Sequence, residues 1–306
     1  MKSNKVGILE LNTDPFIVDV AEKLHDLPVE FLSFSEQLVP VSTEYKVVLD
    51  RLSYCYPYLG EMVKNISLDG TYVINNPFSA AVDNKLMEAT VCRALGIPFP
   101  MSMVLPGPLL QEESFGVVTE PSWERVCDEL GFPCVLKPID GYGWEDVYVI
   151  NNLEELQERH GTVGGGRTWL VQEKVQYDQY YRIFCIDKQE LLFIKWNPKP
   201  YGLGEYLLTE PEEIKPIRDV LTEQIIRLNS CLDLDINTVE WCMDKDGRSW
   251  VVDAFNAVPD VPEDRLPPQY YEWIVDRFAH CIRQKLDPGR HNKMIFDLPV
   301  VQQCVS

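Results

Sequence analysis

The stretch GFPCVLKPIDGYGW, residues 131–144, decides the fold that the sequence predicts. Its apolar run predicts a β-strand over 133–138 that carries Lys137. Gly141 and Gly143 follow, and glycines let backbone amides come close to a phosphate ester. A surface lysine ahead of an ordinary turn explains the same residues. The rest of the sequence therefore has to decide between the two interpretations.

Length and composition predict a folded protein with more than one domain. The chain has 306 residues, of which 45% are hydrophobic and 25% charged, and single hydrophobic cores stop growing near about 250–300 residues. Forty-eight acidic residues against 28 basic ones give a formal net charge of -20. This is the wrong sign for a surface that binds nucleic acid or anionic lipid, so we expect neither partner.

The cysteines and the N-terminal sequence indicate a cytoplasmic protein. Nine cysteines include no CxxC pair, and only four histidines accompany them, so we interpret them as reduced thiols. The opening MKSNKVGILEL lacks the long apolar core and the small-residue cleavage site of a secretory signal. No stretch reaches 18 uninterrupted apolar residues, so no membrane span is expected.

The first 76 residues predict a small open α/β unit. Apolar runs at 5–11 and 70–77 predict buried strands, and helical spacing predicts a helix over 15–27. Two further strands and a helix lie between them, which gives a β-α-β-β opening. The first strand-to-helix turn lacks a GxGxxG fingerprint, so the sequence does not indicate dinucleotide binding there.

Two larger units and a tail follow. Residues 77–168 predict an α+β unit, residues 169–290 predict mainly antiparallel strands with one long helix, and residues 291–306 form a tail without a clear pattern. The predicted helices of these units cover 79–96, 122–131, 152–160 and 214–232. The predicted strands include 133–138, 146–150 and 168–175, and Asp246-Gly247 predicts a hairpin further on.

The order of six motifs resembles the ATP-grasp superfamily. A helix with Lys85 near its start is followed by VLKPIDGYG, LVQEKV, YYRIF, VEW and VVDAFN. The resemblance covers residue 1 to about residue 280, and its spacing is most similar to the branch with glutathione synthetase and the RimK-type ligases. It implies an ATP-grasp fold, in which two α+β lobes hold ATP between them behind an N-terminal open α/β (pre-ATP-grasp) domain. The small lobe would be 77–168 and the C-terminal lobe 169–290.

The resemblance implies that two lysines and a glycine loop bind the phosphates of ATP. Lys85 would reach them from one side, and Lys137 would donate a charge-assisted hydrogen bond from the inner strand. Gly141 and Gly143 would belong to a lid over the phosphates, residues 140–145. Here the sequence departs from the family, because Trp144 and Glu145 stand where small residues are common.

The segment LVQEKV matches the connection between the lobes, which binds adenine and ribose in the superfamily. The residues implied for this role are Gln172, Glu173 and Val175. An ordinary edge strand is the alternative interpretation of the segment.

The resemblance also implies two catalytic side chains on neighbouring strands. Arg182 of YYRIF matches an arginine over the transferred phosphate or the acyl-phosphate, and Lys195 of LLFIKW matches a basic position. Because strand residues alternate, Arg182 should lie on the face opposite Ile183. A solvated surface arginine is the alternative for Arg182.

Three oxygen-bearing residues are the implied Mg²⁺ ligands. Glu240, Asp253 and Asn256 supply the hard oxygen atoms that Mg²⁺ takes in phosphoryl transfer. Most relatives have the acidic residue two places before the asparagine, whereas here Asp253 stands three places before Asn256. A regular strand would point the two side chains to opposite faces, so the sequence predicts either a β-bulge or the loss of one ligand.

These parts imply an ATP- and Mg²⁺-dependent carboxylate-amine ligase. It would activate a carboxylate as an acyl-phosphate, and attack by an amine would form an amide or peptide bond and release ADP and phosphate. The expected substrates are small carboxylates and amines such as amino acids or peptides, held by loops at 112–122, 197–206 and 258–268, and a homodimer is compatible with this reading. A small-molecule kinase on the same fold and a non-catalytic ATP-binding regulator stay open as alternatives.

Overall fold

The computed structural model describes residues 2–79, 84–108, 116–141, 143–163, 166–199 and 204–293. Within these ranges the chain forms one parallel sheet and two antiparallel sheets, in the order that the sequence predicts. Parts of the predicted lid, tail and two substrate loops, namely 142, 294–306, 112–115 and 200–203, lie outside the described residues. Among the described residues, no helix is both long and apolar enough to cross a bilayer.

The first sheet confirms the predicted β-α-β-β opening. Its four parallel strands lie in the order β2-β1-β3-β4. They are β1 Val6–Leu9, β2 Val29–Phe31, β3 Val47–Asp50 and β4 Tyr72–Ile74. Helix α1, Pro15–Glu22, packs on one face through Phe16 and Val20, and helix α2, Pro57–Leu68, covers the other. Asp14 caps α1, since its side chain accepts the backbone N–H of Ile17.

Among the described residues, the helices that pack on the middle sheet lie on one of its faces. Its strands lie in the order β5-β8-β6-β7. They are β5 Ser102–Pro106, β6 Cys134–Pro138, β7 Tyr148–Ile150 and β8 Thr168–Glu173. Helices α4, Trp123–Leu130, and α5, Leu153–Thr162, pack against Leu136 and its neighbours. The opposite face, which carries Lys137, is left to form a cleft.

Two details of the middle unit differ from the predictions. Helix α3, Lys85–Ala94, begins at Lys85 and not at residue 79, because Asn84 is extended and its side chain caps the backbone N–H groups of the first turn. Strand β8 pairs with β5 and β6, so a boundary between residues 168 and 169 divides this strand from its own sheet. We propose a unit boundary after Glu173 instead.

The third sheet has five antiparallel strands in the order β11-β10-β9-β12-β13. They are β9 Gln179–Ile186, β10 Glu190–Asn197, β11 Glu205–Leu207, β12 Ile236–Met243 and β13 Ser249–Asn256. Helix α6, Pro211–Ile214, precedes α7, Arg218–Cys231, which packs on one face of this sheet. The predicted helix over 214–232 therefore begins at Arg218. The other face packs against α1, the first sheet and the C-terminal helix α8, Pro268–Lys285.

Helix α8 and strand β11 of the third unit are absent from the predictions. Helix α8 has 18 residues with buried side chains at helical spacing, including Tyr271, Ile274, Val275 and Phe278. Strand β11 has three residues and pairs with the end of β10. Helix α8 joins the first and third units into one core, in which Phe16 and Phe278 lie edge to face with ring centroids 4.9 Å apart.

A buried charge network also joins the first and third units. Lys285 of α8 pairs with Asp187 and with Asp235, whose carboxylate lies 2.8 Å from the ammonium. Lys188 pairs with the same Asp235 at 2.9 Å. Tyr72 of β4 donates its hydroxyl to Asp235 at 2.8 Å. The buried charges are thus paired and hydrogen-bonded, which is what keeps them tolerable away from water.

Candidate active site

The free face of the middle sheet presents Lys137 to a cleft. Leu136 points into the core under α4 and α5, so the pleat of β6 directs Lys137 to the opposite face. The side chains of Leu170 and Gln172 on β8 alternate to that same face, since Val171 lies in the core. Lys137 is 8% exposed and, among the described residues, has no ion-pair partner. It is therefore not the surface lysine of the alternative interpretation.

The facing surface of the third sheet presents Arg182, Glu240 and Asp253. Arg182 of β9 lies directly opposite Glu240 of β12, which in turn lies opposite Asp253 of β13. Side chains at paired positions of neighbouring strands share one face of a sheet. The three residues therefore form a row across the sheet, and Arg182 is 7% exposed. The solvated surface arginine is excluded.

Strand β13 contains the bulge that the Asp253 to Asn256 spacing requires. Thr238 pairs with Asn256 and Glu240 pairs with Asp253, so one residue of β12, Val239, opposes two of β13. The extra residue lies at Ala254 and Phe255, which both point into the core under α7. Asn256 returns to the cleft face. With its amide oriented to satisfy both groups, its oxygen accepts from Arg182 Nη2 at 3.0 Å.

Two buried polar side chains hold the bulge in place. The Ala254 N–H donates to Glu88 Oε2 at 3.0 Å. Asn237 Nδ2 donates to the Ala254 carbonyl at 2.9 Å, and Asn237 Oδ1 accepts the N–H of Asn256 at 2.7 Å. The backbone groups that a bulge removes from the strand ladder are thereby satisfied, which a buried backbone requires.

Helix α3 brings Lys85 and Glu88 to the cleft. The backbone N–H of Lys85 donates to the carbonyl of Ile139 at 2.9 Å, so the start of α3 is attached to the end of β6. Lys85 Nζ lies 3.2 Å from Asp253 Oδ1 and 3.9 Å from Glu88 Oε1. Lys85 therefore forms an ion pair with Asp253 of the third sheet, next to the contact of Glu88 with Ala254.

The charges of this cluster shift one another's pKa values. Burial, and then the charge of Lys85, lower the pKa of Lys137 to about 8. Burial, and then the charge of Asp253, raise the pKa of Glu88 to about 8 and also raise the pKa of Glu240. Burial alone would lower the pKa of Lys85, but Asp253 and Glu88 outweigh it and the pKa is raised. Such opposed shifts in one cleft are typical of functional sites.

Arg182 lies in an aromatic pocket. Its guanidinium carbon is 5.7 Å from the ring centroid of Trp196 and 5.8 Å from that of Tyr206. Arg182 Nη1 donates to the Tyr206 hydroxyl at 2.5 Å, while Nε has no hydrogen-bond partner among the described residues. A buried cation with a free donor can take an anionic oxygen atom.

The predicted lid is attached at both ends by one arginine. Arg167 donates to Asp140 at 2.9 Å and to Asp146 at 2.9 Å. Gly143 has a φ of 64°, which favours glycine, while a Cβ on Gly141 would lie 2.6 Å from the ring of Pro138. Trp144 is 43% exposed, so this residue does not fill the cleft. Both glycines are therefore required by the loop itself.

The predicted adenine residues lie where β8 leaves the middle sheet. Gln172 is 4% exposed on the cleft face, and its amide donates to Ser102 Oγ at 3.0 Å. Glu173 Oε1 accepts the N–H of Met101 at 2.9 Å, so one carboxylate oxygen is already used. Val175 packs against the core shared by the first and third units. These residues do connect the two lobes, and β8 is an inner strand, not an edge strand.

Lys195 is not part of the cleft, and its predicted catalytic role has no support in the structure. It lies opposite Tyr181 on the neighbouring strand, whereas Arg182 lies opposite Ile194. Lys195 therefore alternates to the α7 face of the sheet. There its ammonium lies 2.9 Å from Glu213 Oε1 of α6.

Three residues of the site are absent from the predictions. Glu88 is 2% exposed beside Lys85, and Tyr180 donates its hydroxyl to Glu240 at 2.5 Å. Tyr206, the third, binds Arg182. Alternation relative to Arg182 could have indicated Tyr180, because both residues are even-numbered positions of one strand. No local pattern indicates Glu88 or Tyr206.

The predicted metal ligands fit Mg²⁺ in chemistry. Glu240 and Asp253 lie directly opposite each other, and like charges at such positions destabilise a sheet. Two carboxylates with an amide oxygen at Asn256 are the hard donors that Mg²⁺ prefers, and the cation would offset this repulsion. In the described part of the chain, no three His, Cys, Asp or Glu side chains form a group that could hold a metal ion. The fit thus rests on two carboxylates and one amide.

Two α+β lobes that face each other across a charged cleft, behind an open α/β unit, form the architecture of the ATP-grasp fold. Comparisons with solved structures agree. The ATP-grasp ligase PsnB complexed with minimal precursor matches with a TM-score of 0.65 and 17% identity, over 94% of this chain and 100% of that chain. D-alanine--D-alanine ligase from Bacillus anthracis complexed with ATP matches with a TM-score of 0.65 and 15% identity, over 93% of this chain and 97% of that chain. A RimK domain ATP-grasp protein from Sphaerobacter thermophilus matches with a TM-score of 0.64 and 18% identity, over 92% of this chain and 100% of that chain.

Sequence comparison points the same way over a shorter region. The D-alanine--D-alanine ligase of Chromohalobacter salexigens is 23% identical over 191 residues, which are 58% of this chain and 55% of that protein. The match thus spans little more than half the length of this relative. No protein-family model matches the chain. The protein has the ATP-grasp fold, as the motif order implied.

Proposed function

We propose that the protein is an ATP- and Mg²⁺-dependent carboxylate-amine ligase that forms an amide or peptide bond and releases ADP and phosphate. The observation that carries this proposal is the opposition of Lys85 and Lys137 to the row of Arg182, Glu240 and Asp253 across one cleft. Cations on one wall suit the phosphates of ATP, and carboxylates on the other suit the metal ion that accompanies them. The named relatives of this fold are ligases, which supports the same reaction class.

The proposed chemistry has two steps. An oxygen atom of the substrate carboxylate bonds to the γ-phosphorus of ATP as the bond to ADP breaks, which gives an acyl-phosphate. The amine nitrogen then bonds to the acyl carbon as the bond to phosphate breaks, and the nitrogen loses a proton. No protein nucleophile takes part, so the buried cysteines have no role in the reaction.

The residues of this chain supply positioning and charge. Lys137 and Lys85 would bind phosphate oxygens, and Lys85 would exchange Asp253 for them. Arg182, held by Tyr206 and the aromatic rings, would stabilise the negative charge of the acyl-phosphate. Glu240, Asp253 and Asn256 would hold Mg²⁺, which when bound neutralises charge on the transferring phosphoryl group. Gln172, Glu173 and Val175 would bind adenine and ribose.

One assay separates the proposal from its alternatives. Purified protein is incubated with Mg·ATP, pooled amino acids and small carboxylic acids, and ADP and inorganic phosphate are measured separately. A ligase releases both products, a kinase that phosphorylates a hydroxyl releases ADP only, and a regulator releases neither above background. Release of ADP without phosphate would therefore overturn the ligase proposal in favour of the kinase.

The metal ligands provide a second test. Glu240→Gln and Asp253→Asn each fill the same space without charge, so ATP turnover should fall far more than ATP binding. Lys195→Gln is the matched control, because Lys195 lies on the other face of the sheet and its loss should leave turnover near the wild-type rate. Full turnover of Asp253→Asn would reduce the metal site to Glu240.

A further inference from the structure

A second charged site lies at the edge of the first sheet, outside the cleft cluster. Glu10 directly follows β1 and Arg51 directly follows β3, and these two strands are neighbours. The strand order β2-β1-β3-β4 changes direction between them, so the two residues flank the topological switch point of the sheet. In open α/β sheets, ligands bind at the carboxyl ends of the strands at this point.

Arg51 is buried there with donors to spare. The residue is 7% exposed, and its guanidinium carbon lies 5.4 Å from the ring centroid of Phe16. Nη2 donates to the Pro259 carbonyl at 3.1 Å, and Nε forms a loose ion pair with Glu10 at 3.6 Å. Among the described residues, Nη1 has no partner and Nε has no hydrogen bond. A buried donor left unpaired is destabilising, so an arginine in this state is suited to an external acceptor.

The same edge faces the candidate active site. The segment 257–266 of the third unit covers Arg51, and Val261 and Leu266 anchor it in the core that both units share. Asp260 of this segment interacts electrostatically with Arg51 and also with Arg182. One carboxylate of this segment is therefore within electrostatic reach of both arginines.

The surrounding charges select the kind of anion. Glu10, Asp14 and Asp260 all lie close enough to Arg51 to interact with its charge. A dianion such as phosphate would meet three carboxylates for one guanidinium, whereas a carboxylate brings a single negative charge. Arginine also matches a carboxylate in geometry.

We propose that Arg51 binds a carboxylate of the ligase substrate that is not itself activated, such as the C-terminal carboxylate of an amino acid or a short peptide. Glu10 orients the guanidinium through the loose ion pair, and the Pro259 carbonyl fixes its far side. The ligand approaches along the edge that leaves 8% of the Arg51 side chain exposed. This inference rests on the proposed function, because it names the substrate class of the same enzyme.

A binding experiment tests the site without requiring turnover. Thermal unfolding of the full chain is followed with a saturating non-hydrolysable ATP analogue and Mg²⁺, and with four pools: amino acids, amino-acid amides, dipeptides and dipeptide amides. We expect one acid pool to raise the melting temperature, with an apparent Kd at least about tenfold lower than that of its amide pool. The pool that responds separates a free amino acid from a peptide C-terminus.

Variants then assign the effect to Arg51. Arg51→Gln should remove the difference between acid and amide while the response to the ATP analogue is kept. Arg248→Gln, on the exposed hairpin between β12 and β13, is the matched control and should keep the difference. If Arg51→Gln fails to fold, Arg51→Lys keeps the charge without the fork and should weaken acid binding at least about tenfold.

The outcomes separate this site from the proposed function. Equal binding of acids and amides by the wild type, binding of neither, or an acid preference that survives Arg51→Gln each overturn the site, even when ADP and phosphate are released. Acid binding that depends on Arg51 without release of both products upholds the site and overturns the ligase proposal.

Discussion

Burial prepares Lys137 for the phosphate that we propose it binds. Its ammonium is buried near Lys85, and the pKa of Lys137 is lowered to about 8. The charged form of Lys137 is therefore destabilised in the free protein, and a bound anion would stabilise it. We expect Lys137→Ala to weaken ATP binding by about 1.5–3 kcal/mol, the value of a charge-assisted hydrogen bond. Isothermal titration with Mg·ATP measures this. Cys134→Ala, on the same strand but on the core face, is the control. Equal affinity in the wild type and the Lys137 variant would contradict a phosphate role.

The lowered pKa of Lys137 also predicts how ATP affinity depends on pH. Since the free protein loses the Lys137 proton as pH rises through about 8, and phosphate binds the protonated form, affinity should fall by up to about tenfold per pH unit above that value. Lys137→Met cannot titrate, so its weaker affinity should stay flat between about pH 7 and pH 9.5. The dissociation constants of ATP for both proteins, measured over this pH range, test the prediction. Parallel profiles for both proteins would show that another group titrates.

The residues that the sequence identified are those whose roles follow from a local pattern. Lys137 and Arg182 stand in alternating strands, where the face of a side chain follows from its neighbours. The same rule places Lys195 on the wrong face, once Lys195 is paired with Tyr181. Glu88 could not be found in this way, because the N–H that it accepts belongs to Ala254, 166 positions away. Arg51 likewise depends on a contact with Pro259, 208 positions away.

Among the elements, the bulge in β13 is the feature on which the proposed metal site depends. Asn237 satisfies two of the backbone groups that the bulge leaves unpaired. Asn237→Ala should therefore lower the free energy of unfolding by about 1–3 kcal/mol for each group left buried without a partner. It should also raise the Mg²⁺ concentration required for half-maximal ATP turnover, because Asn256 would lose its orientation. Denaturant unfolding and a Mg²⁺ titration measure the two effects.

A buried asparagine elsewhere separates the two effects of Asn237. Asn229 of α7 is fully buried and donates to the Ile225 carbonyl of its own helix, outside the bulge. Asn229→Ala should lower stability in a similar way and leave the Mg²⁺ requirement unchanged. If the bulge does not depend on Asn237, the Asn237→Ala and Asn229→Ala variants will give the same Mg²⁺ titration.

The elements themselves were largely readable from the sequence because most of them form their own apolar patterns. The three sheets and the helices of the first two units follow from strand alternation and helical spacing. Helix α8 has such a stripe as well, through Ile274, Val275 and Phe278, and could have been predicted. Strand β11 could not, because three residues carry no period and their pairing depends on β10. The start of α3 at Lys85 is set by the Asn84 cap, a signal that was present in the sequence.

For the whole molecule, the charge network under α8 makes the first and third units one body. Lys285 is 2% exposed and pairs with Asp187 and Asp235. Lys285→Ala leaves buried carboxylates without this cation, and breaking a buried pair costs about 3–5 kcal/mol. Arg283→Ala, two residues earlier, removes an exposed pair with Asp26 and an exposed hydrogen bond to the Lys23 carbonyl, and should change stability little. Similar unfolding midpoints for the two variants would show that the network does not join the units.

ATP itself should stabilise the protein, because its proposed site takes residues from the middle unit and from the third. Lys137 and Gln172 lie on one wall of the cleft, and Arg182 and Glu240 lie on the other. A ligand that binds only the folded state at about 100 times its Kd stabilises it by about 2.7 kcal/mol. At about 2–4 °C per kcal/mol for a chain of this size class, the melting temperature should rise by about 5–10 °C. Differential scanning calorimetry with Mg·ATP measures the shift.

Adenosine with Mg²⁺ is the control. It should give a much smaller rise in melting temperature, because Lys85, Lys137 and Arg182 are proposed to bind the phosphates that adenosine lacks. No shift at millimolar Mg·ATP would leave the fold intact and remove the nucleotide from the proposed function.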